Sequence, residues 1–228
     1  MAFVALDVEC AATGRGHNDR APCRVAVVDF HGGTLLDELV AVPGMVSPLT
    51  AITGLTTDQI EGGRPYDDVV ADVRALLGPH VTVVGQAPFV DIEWLGLRAG
   101  VDFRESIDIA EHFRTWNAKY GNYDYYSLAM EVYALLGIRM NGSHSPVEDA
   151  QLSMTLFREY VRNQRQLEGA RRTAAAQVEI NEELLGPGLR YGRKFPQFKD
   201  PDAPYIDGVC DGKFNAKRCI CGQPVVNR

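Results

Sequence analysis

The chain has 228 residues, of which 46% are hydrophobic and 23% charged, which is typical of a globular protein and argues against a disordered or fibrous one. It has no run approaching the roughly 20 apolar residues of a membrane span and no N-terminal secretory signal pattern, so no membrane partner is expected. The net charge of −7 argues against a general polyanion binder, because phosphates are held by Lys and Arg.

The five cysteines are an odd number. This favours reduced thiols in an intracellular compartment, the cytoplasm or the nucleus, over a framework of disulfides. Charge is also unevenly distributed, since residues 186–228 carry eight Lys/Arg and four Asp/Glu. A basic end of this kind could contact phosphates locally.

The first part of the chain has the pattern of three strands followed by a loop. Residues 3–6 form a short apolar run that is typical of a buried strand. Residues 24–30 and 34–42 are strand-like and are joined by a glycine-bearing link of the hairpin kind. The stretch 43–63, rich in Pro, Gly, Ser and Thr, is predicted as a loop with one short helix.

Helices and strands then alternate. Helices are predicted to begin near Pro65, Pro88 and Ser127, each marked by a proline or a capping serine and followed by apolar residues at helical spacing. Strands are predicted at 81–84 and 106–109. Three hairpin-linked strands followed by alternating helices and strands favour an α/β fold with a mixed five-stranded sheet flanked by helices.

Two carboxylates follow the first predicted strand. Asp7 and Glu9 are two residues apart, so both side chains project from one face of an extended chain and approach a single site. A carboxylate at the end of an apolar strand is costly unless water, a hydrogen-bond partner or a cation compensates it. Taken alone, this pair is typical of surface exposure.

Further polar residues stand at the starts of two helices. Asp91 falls in a first turn, where an acidic residue usually supports the helix dipole. Ser145 and Glu148 form a predicted capping box that fixes the start of the next helix. His144 is therefore placed on a loop and Asp149 within a first turn. A lone loop histidine is usually only solvated, so the combination carries the functional argument.

The carboxylates together indicate a metal site. Gathered at one place, they would raise one another's pKa, so cations are needed to keep them ionised. All-oxygen ligands favour Mg²⁺ or Mn²⁺, and two such ions about 3.5 to 4 Å apart stabilise the attacking and leaving oxygens of a phosphodiester. Two divalent ions are therefore expected at Asp7, Glu9, Asp91 and Asp149, with His144 activating the water.

These motifs, D-x-E, a central Asp and H-x-x-x-x-D, occur here in the order found in the DEDDh 3′→5′ exonucleases of the ribonuclease H-like superfamily, which this chain resembles. The phrases at 5–9 and 50–55 are most similar to the RNA exonuclease branch that includes interferon-stimulated and ribosomal-RNA-processing enzymes. The resemblance covers about 1–165 and implies a ribonuclease H-like fold.

The resemblance also implies roles. Asp7 would bridge both metals, Glu9 and Asp149 would hold the metal near the nucleophilic water, Asp91 would support the second metal, and His144 would be the general base. The tyrosine-bearing subtype is not matched, because a serine stands four residues before the last aspartate.

Four residues are candidates for substrate binding. Related RNA exonucleases often carry Met after the glutamate, whereas this chain has Cys10 and Ala11, which leaves the preferred sugar open. Leu55 lies in a loop that resembles one packing against the terminal base, with a core role as the alternative. Phe89 could stack on a base or pack in the core.

An exonuclease domain is expected at 1–165, followed by a helical extension and tail at 166–228. The extension carries an apolar stripe suited to docking on the domain or on a second subunit, as in a homodimer: Leu167, Ala170, Ala174, Val178 and Leu185. The tail carries basic and aromatic residues that could bind nucleic acid or pack on the domain: Arg190, Tyr191, Arg193, Lys194, Phe195, Phe198, Lys199, Lys213, Lys217 and Arg218. Three thiols there have no C-x-x-C pair and no neighbouring histidine, which favours unliganded thiols: Cys210, Cys219 and Cys221.

The predicted function is metal-dependent hydrolysis of single-stranded nucleic acid from its 3′ end to nucleoside 5′-monophosphates, with RNA favoured over DNA. One alternative is a non-catalytic nucleic-acid-binding or scaffolding module on the same fold. Another is a DNA proofreading or repair exonuclease of the same subtype.

Overall fold

A mixed five-stranded sheet forms the centre of the computed structural model, which describes residues 2–140, 144–162, 168–176, 205–210, 214–215 and 218–219. The strands are β1 (Ala2–Ala12), β2 (Arg20–Asp29), β3 (Thr34–Leu39), β4 (Gly78–Gly85) and β5 (Phe103–Asp108). Their order is β3-β2-β1-β4-β5; β1, β2 and β3 pair antiparallel, and β4 pairs parallel with β1 and β5. The predicted α/β architecture is confirmed.

Helices cover both faces of the sheet. They are α1 (Thr50–Thr53), α2 (Thr57–Glu61), α3 (Tyr66–Leu76), α4 (Pro88–Trp94), α5 (Ala110–Phe113), α6 (Leu128–Leu136), α7 (Pro146–Leu156) with a π-helical turn (Phe157–Val161), and α8 (168–176). Short hairpins are formed by β6 (Thr115–Asn117) with β7 (Asn122–Asp124), β8 (Tyr205–Ile206) with β9 (Val209–Cys210), and β10 (Phe214–Asn215) with β11 (Arg218–Cys219).

The alternation of side chains along β1 separates two cores. Val4, Leu6 and Val8 pack with α3 on one face, whereas Ala5 joins the cluster formed by α6 and α7 on the other. Asp7 and Glu9 follow Ala5 at every second position, so they project towards the face that α7 covers. The sheet therefore presents both carboxylates to the helix that begins next to His144.

β1 is longer than predicted. Its pairing with β4 ends at Ala5, but its pairing with β2 continues through Glu9 to Ala12, with a register shift after Glu9. Asp7 and Glu9 therefore lie inside the strand, not at its end. The extension arises because β2 provides hydrogen-bond partners beyond the apolar run from which the strand was predicted.

The predicted capping box of α7 is wrong. Ser145 is the N-cap and Pro146 the first helical residue, but the Ser145 side chain accepts no capping hydrogen bond. The helix start is set instead by the proline ring and by the Asp149 amide, which donates to the Ser145 carbonyl at 2.9 Å. A capping box does form at α2, between Thr56 and Gln59.

The extension packs on its own domain. Ala170 of α8 is buried in the cluster of α6 and α7, and Ala174 is buried against Tyr126 and Met130. These contacts favour docking on the domain, and nothing in them supports the homodimer. Other predicted stripe and tail residues lie outside the described residues or have only their backbone described: Leu167, Val178, Leu185, Arg190, Tyr191, Arg193, Lys194, Phe195, Phe198, Lys199, Lys213, Lys217, Arg218, Cys219 and Cys221.

Within the described ranges, Cys10, Cys23 and Cys210 are buried and form no disulfide. The same ranges contain no helix with the length and apolar character needed to cross a bilayer.

Candidate active site

Four carboxylates from three separate elements converge beside the sheet. Asp7 and Glu9 come from β1, Asp91 from the first turn of α4 and Asp149 from the first turn of α7. Glu9, Asp91 and Asp149 are 7%, 6% and 5% exposed, and Asp7 is partly exposed. Asp7 is within electrostatic range of the other three. The predicted constellation is therefore assembled in the fold.

The local structure at the start of α4 places the Asp91 side chain beside β1. Pro88 is the first residue of α4 and follows Ala87, whose φ of 55° turns the chain sharply after β4. The Ala87 amide donates to Asp108 Oδ1 at 2.9 Å, which ties this turn to the end of β5. The backbone amide of Val8 in β1 favours the charged form of the Asp91 carboxylate.

His144 and Asp149 form a hydrogen-bonded pair. Nδ1 of His144 lies 3.0 Å from Oδ2 of Asp149, and the imidazole is 55% exposed. The backbone amide of His144 donates to the Ile52 carbonyl at 2.9 Å, so the loop is tied to α1. Glu9, His144 and Asp149 each offer one ligand atom, and these atoms lie within 4.8 Å of one another.

Burial makes the carboxylates costly to ionise. It is the largest cause of the raised pKa of Asp7, followed by the charges of Asp91 and Asp149. Burial also raises the pKa of Asp91, with Glu9 adding to the rise and the Val8 amide opposing it. The pKa of Glu9 is raised to about 7, chiefly by burial and against the lowering effect of His144. Loss of water thus outweighs the mutual repulsion that the sequence predicts.

The side chains fit a divalent cation. Oδ1 of Asp149 is buried and accepts no hydrogen bond within the described part of the chain, which is costly for an ionised group. Its neighbours are carboxylates with raised pKa values, and a cation would favour their charged forms. A donor set of carboxylate oxygens is the kind that Mg²⁺ and Mn²⁺ prefer.

The candidate substrate-binding residues differ in exposure. The side chains of Cys10, Ala11 and Leu55 are buried, and Leu55 packs with Ala11 and Ile60 in a small core cluster. Phe89 is 41% exposed at the start of α4, two residues before Asp91. Contact of any of the four with a substrate stays a prediction, and for Ala11 it would involve the backbone rather than the buried methyl group.

Backbone groups at the site have no signal in the sequence. The Val8 amide favours the charged form of Asp91, and the Ile52 carbonyl accepts a hydrogen bond from the His144 amide because α1 lies against the His144 loop. Backbone groups of this kind are specified by the fold and not by residue type.

Known proteins resemble this chain in both sequence and fold. No protein-family model matches. RNA exonuclease 4 of Gibberella zeae is 32% identical over 161 residues, which are 69% of this chain and 49% of that protein. RNA exonuclease 4 of Candida glabrata is 30% identical over 159 residues, 68% of this chain and 59% of that protein. The chain thus spans about half the length of these curated relatives.

Solved structures share the fold at low identity. The Saccharomyces cerevisiae Pan2 pseudoubiquitin hydrolase–RNA exonuclease module in complex with AACCAA RNA matches with a TM-score of 0.65 at 18% identity, over 80% of this chain and 32% of that one. The Neurospora crassa Pan2 catalytic unit, with protease and nuclease domains, matches with a TM-score of 0.61 at 18% identity, over 81% and 29%. These likenesses bear on the fold alone.

Proposed function

The chain belongs to the ribonuclease H-like 3′→5′ exonuclease family, and we propose that it is itself a 3′→5′ exoribonuclease of the DEDDh subtype. It removes nucleoside 5′-monophosphates from the 3′ end of single-stranded RNA with the help of two divalent ions, Mg²⁺ or Mn²⁺. The relatives named RNA exonuclease 4 support RNA as the substrate.

One observation carries the proposal: carboxylates from β1, α4 and α7 converge beside a histidine hydrogen-bonded to one of them. Structural ion networks usually pair acids with Lys or Arg. Here the carboxylates face one another, with Arg24 acting only on Glu9, and the buried Asp149 Oδ1 accepts no hydrogen bond within the described residues. Such a cluster is what phosphoryl chemistry on divalent ions needs.

We infer a role for each carboxylate. Asp7, which interacts with the other three, would be a ligand of both ions. Glu9 and Asp149 would hold the ion on the His144 side, and Asp91 would hold the ion on the α4 side. When bound, the ions supply an activated water and neutralise charge on the attacking and leaving oxygens.

His144 is the general base. If its Nδ1–H donates to Asp149 Oδ2, the lone pair is on Nε2, and this nitrogen takes the proton of the attacking water. The exposure of the ring lets the proton pass on to solvent after each cleavage.

The test uses 5′-labelled single-stranded RNA and DNA of one sequence, incubated with purified protein in Mg²⁺ or Mn²⁺. We expect a ladder that shortens from the 3′ end, faster on RNA than on DNA. Asp7→Asn, which keeps the shape of the side chain but lowers its affinity for cations, is expected to give no ladder. A circular RNA of the same sequence is the matched control for exonucleolytic action, because it has no 3′ end.

Three results would contradict the proposal. An active Asp7→Asn protein would place the chemistry elsewhere, and cleavage of the circle would indicate an endonuclease. Binding of RNA without shortening in either metal, by a folded protein, would support the non-catalytic module instead. Faster shortening of DNA than RNA would favour the DNA repair alternative.

A further inference from the structure

A hairpin near the C-terminus folds back onto the catalytic domain. β8 and β9 are joined by Asp207 and Gly208, whose φ values are 51° and 76°, as in the tight turns that favour Asp-Gly. The Cys210 amide donates to the Arg15 carbonyl at 2.8 Å, and Nη2 of Arg20 donates to the Cys210 carbonyl at 2.8 Å. Residues 205–210, here called the tail hairpin, are thus hydrogen-bonded to the loop between β1 and β2 and to the first residue of β2.

The tail hairpin buries apolar side chains against the segment that precedes and forms α1. Ile206 and Val209 are 8% and 0% exposed and cluster with Ala12 and Leu49, while Ile52 packs against this cluster. Two of these contacts, Leu49 and Ile52, lie in the segment 47–52. The apolar side chains of the tail hairpin therefore help to hold α1 in place.

A polar contact reinforces the apolar one. Asp207 accepts a hydrogen bond from Ser47 Oγ at 2.8 Å. Ser47 Oγ in turn accepts one from the Leu49 amide at 3.0 Å. Leu49 is the N-cap of α1 and has a left-handed φ of 52°, a conformation that a branched apolar residue adopts only when its surroundings hold it. Asp207 is part of those surroundings.

The same segment holds the general base. The carbonyl of Ile52 accepts a hydrogen bond of 2.9 Å from the backbone amide of His144. α1 has only four residues, too few to be stable as an isolated helix, so its position depends on its neighbours. A continuous path of contacts therefore runs from Asp207 through Ser47, Leu49 and Ile52 to His144.

We propose that the tail hairpin positions His144 for catalysis, and that Asp207 is its positioning residue, acting through segment 47–52. Asp207 would act through its hydrogen bond with Ser47. The inference rests on the proposed function, since it gives the C-terminal segment a role in the same reaction. The carboxylates that would hold metal lie on β1, α4 and α7, outside segment 47–52.

The structural part of the proposal is tested first by hydrogen exchange of the His144 amide in the full-length protein, which requires no activity. Asp207→Gly keeps the left-handed turn but removes the acceptor, whereas Asp207→Asn keeps both the turn preference and an acceptor oxygen. We expect exchange to be faster in Asp207→Gly by roughly 2- to 10-fold, the range for loss of one hydrogen bond, and near wild type in Asp207→Asn. Unchanged exchange in Asp207→Gly would overturn the proposal.

The catalytic part is tested by RNA hydrolysis in a double-mutant cycle with His144→Ala. Asp207→Gly is expected to lower kcat by roughly 2- to 10-fold with KM unchanged. Asp207→Asn, which keeps an acceptor oxygen, is expected to have a kcat near that of the wild type. In the His144→Ala background Asp207→Gly should have no further effect, because the group it positions is gone. An equal loss in both backgrounds would mean a general structural role and would overturn the proposal.

The two hypotheses fail differently. A wild-type protein without exonuclease activity contradicts the proposed function, while exchange at His144 still decides whether the hairpin holds the loop. An active wild type whose rate and exchange are both unaffected by Asp207→Gly contradicts only this inference.

Discussion

Substitutions of Asp7 and of His144 should have different effects on metal binding and on the rate of hydrolysis. Asp7 interacts with three other carboxylates, so Asp7→Asn should abolish RNA hydrolysis together with metal binding. The proposed role of His144 is to take the proton of the water, so His144→Ala should leave most of the metal affinity intact and slow turnover by roughly 10²- to 10⁴-fold, the usual contribution of a general base. Calorimetric titration with Mn²⁺ and single-turnover rates measure the two effects, and equal losses of metal affinity in both variants would contradict the division of roles.

Glu131 is a buried acid outside the metal cluster. It is fully buried in α6, and neither carboxylate oxygen has a hydrogen-bond partner within the described residues. Burial raises its pKa well above the ordinary value of 4.5, with Asp108 adding to the rise and Gln86 opposing it. The folded state therefore keeps Glu131 protonated where the unfolded chain would release the proton.

This raised pKa predicts how the stability of Glu131→Gln changes with pH relative to the wild type. Above a pH of 4.5 the folded wild type binds more protons at Glu131 than the unfolded chain, so its stability falls as pH rises towards the folded pKa. The amide cannot ionise and lacks this dependence. The melting temperature of Glu131→Gln relative to wild type should therefore increase between about pH 5 and about pH 7.5. A difference that is constant or declines with pH would indicate an ionised Glu131 in the fold.

At the scale of elements, Gly85 controls how closely α4 approaches β1. A Cβ at Gly85 would lie 3.0 Å from Pro88 Cβ and 3.2 Å from the Leu6 carbonyl, so α4 would have to shift by a few tenths of an ångström. Because α4 carries Asp91, Gly85→Ala should weaken metal binding and RNA hydrolysis together. The matched control is Gly169→Ala in α8, where nothing lies within 4 Å of the added methyl.

The control has an expected direction of its own. Alanine is favoured over glycine in a helix by roughly 0.5 to 1 kcal/mol, so Gly169→Ala should raise the unfolding midpoint slightly and leave activity unchanged. Denaturant melts and hydrolysis rates are measured for both variants. Wild-type metal affinity in a folded Gly85→Ala protein would mean that the placement of α4 does not depend on this glycine.

Elements marked by strong local chemistry were predictable. Pro88 places the start of α4, and Ser127 caps α6 with a bond to the Met130 amide. The length of an element was not predictable where a pairing partner sets it. β1 continues to Ala12 because β2 pairs with it. Ser145 stands at the predicted cap but does not bond there, because Pro146 already fixes the helix start. Local signals specify where an element begins better than what its side chains contact.

The candidate site was predictable as a set of residues that the fold brings together, though not as a geometry. The order and spacing of Asp7, Glu9, Asp91, His144 and Asp149 indicate the constellation, and the fold brings these residues together. Asp207-Gly208 is a local hairpin signal, but nothing in the sequence near it indicates where Ile206 and Val209 pack. Their partner, segment 47–52, is about 160 residues away in sequence, and contacts of that range have no periodic signature.

At the scale of the whole molecule, the carboxylate cluster makes the stability of the fold depend on pH. The pKa values of Asp7, Glu9 and Asp91 are all raised in the fold. Between the ordinary values of 3.8 and 4.5 and the folded value of about 7 for Glu9, the folded state without metal binds more protons than the unfolded chain. Its stability should therefore fall as pH rises through this window.

Divalent ions should reverse that slope, because they bind the deprotonated carboxylates and not the protonated ones. At about pH 5 the added ions have little to bind, whereas at about pH 7.5 a concentration of about 100 times Kd contributes roughly 2.7 kcal/mol, or about 5 to 10 °C in melting temperature. Thermal melts with and without Mn²⁺ across this range measure the effect, and Asp7→Asn should lose most of it. A metal-induced rise in melting temperature that is the same at both pH values would mean that binding does not require deprotonation of the cluster, and that the raised pKa values belong to groups other than the metal ligands.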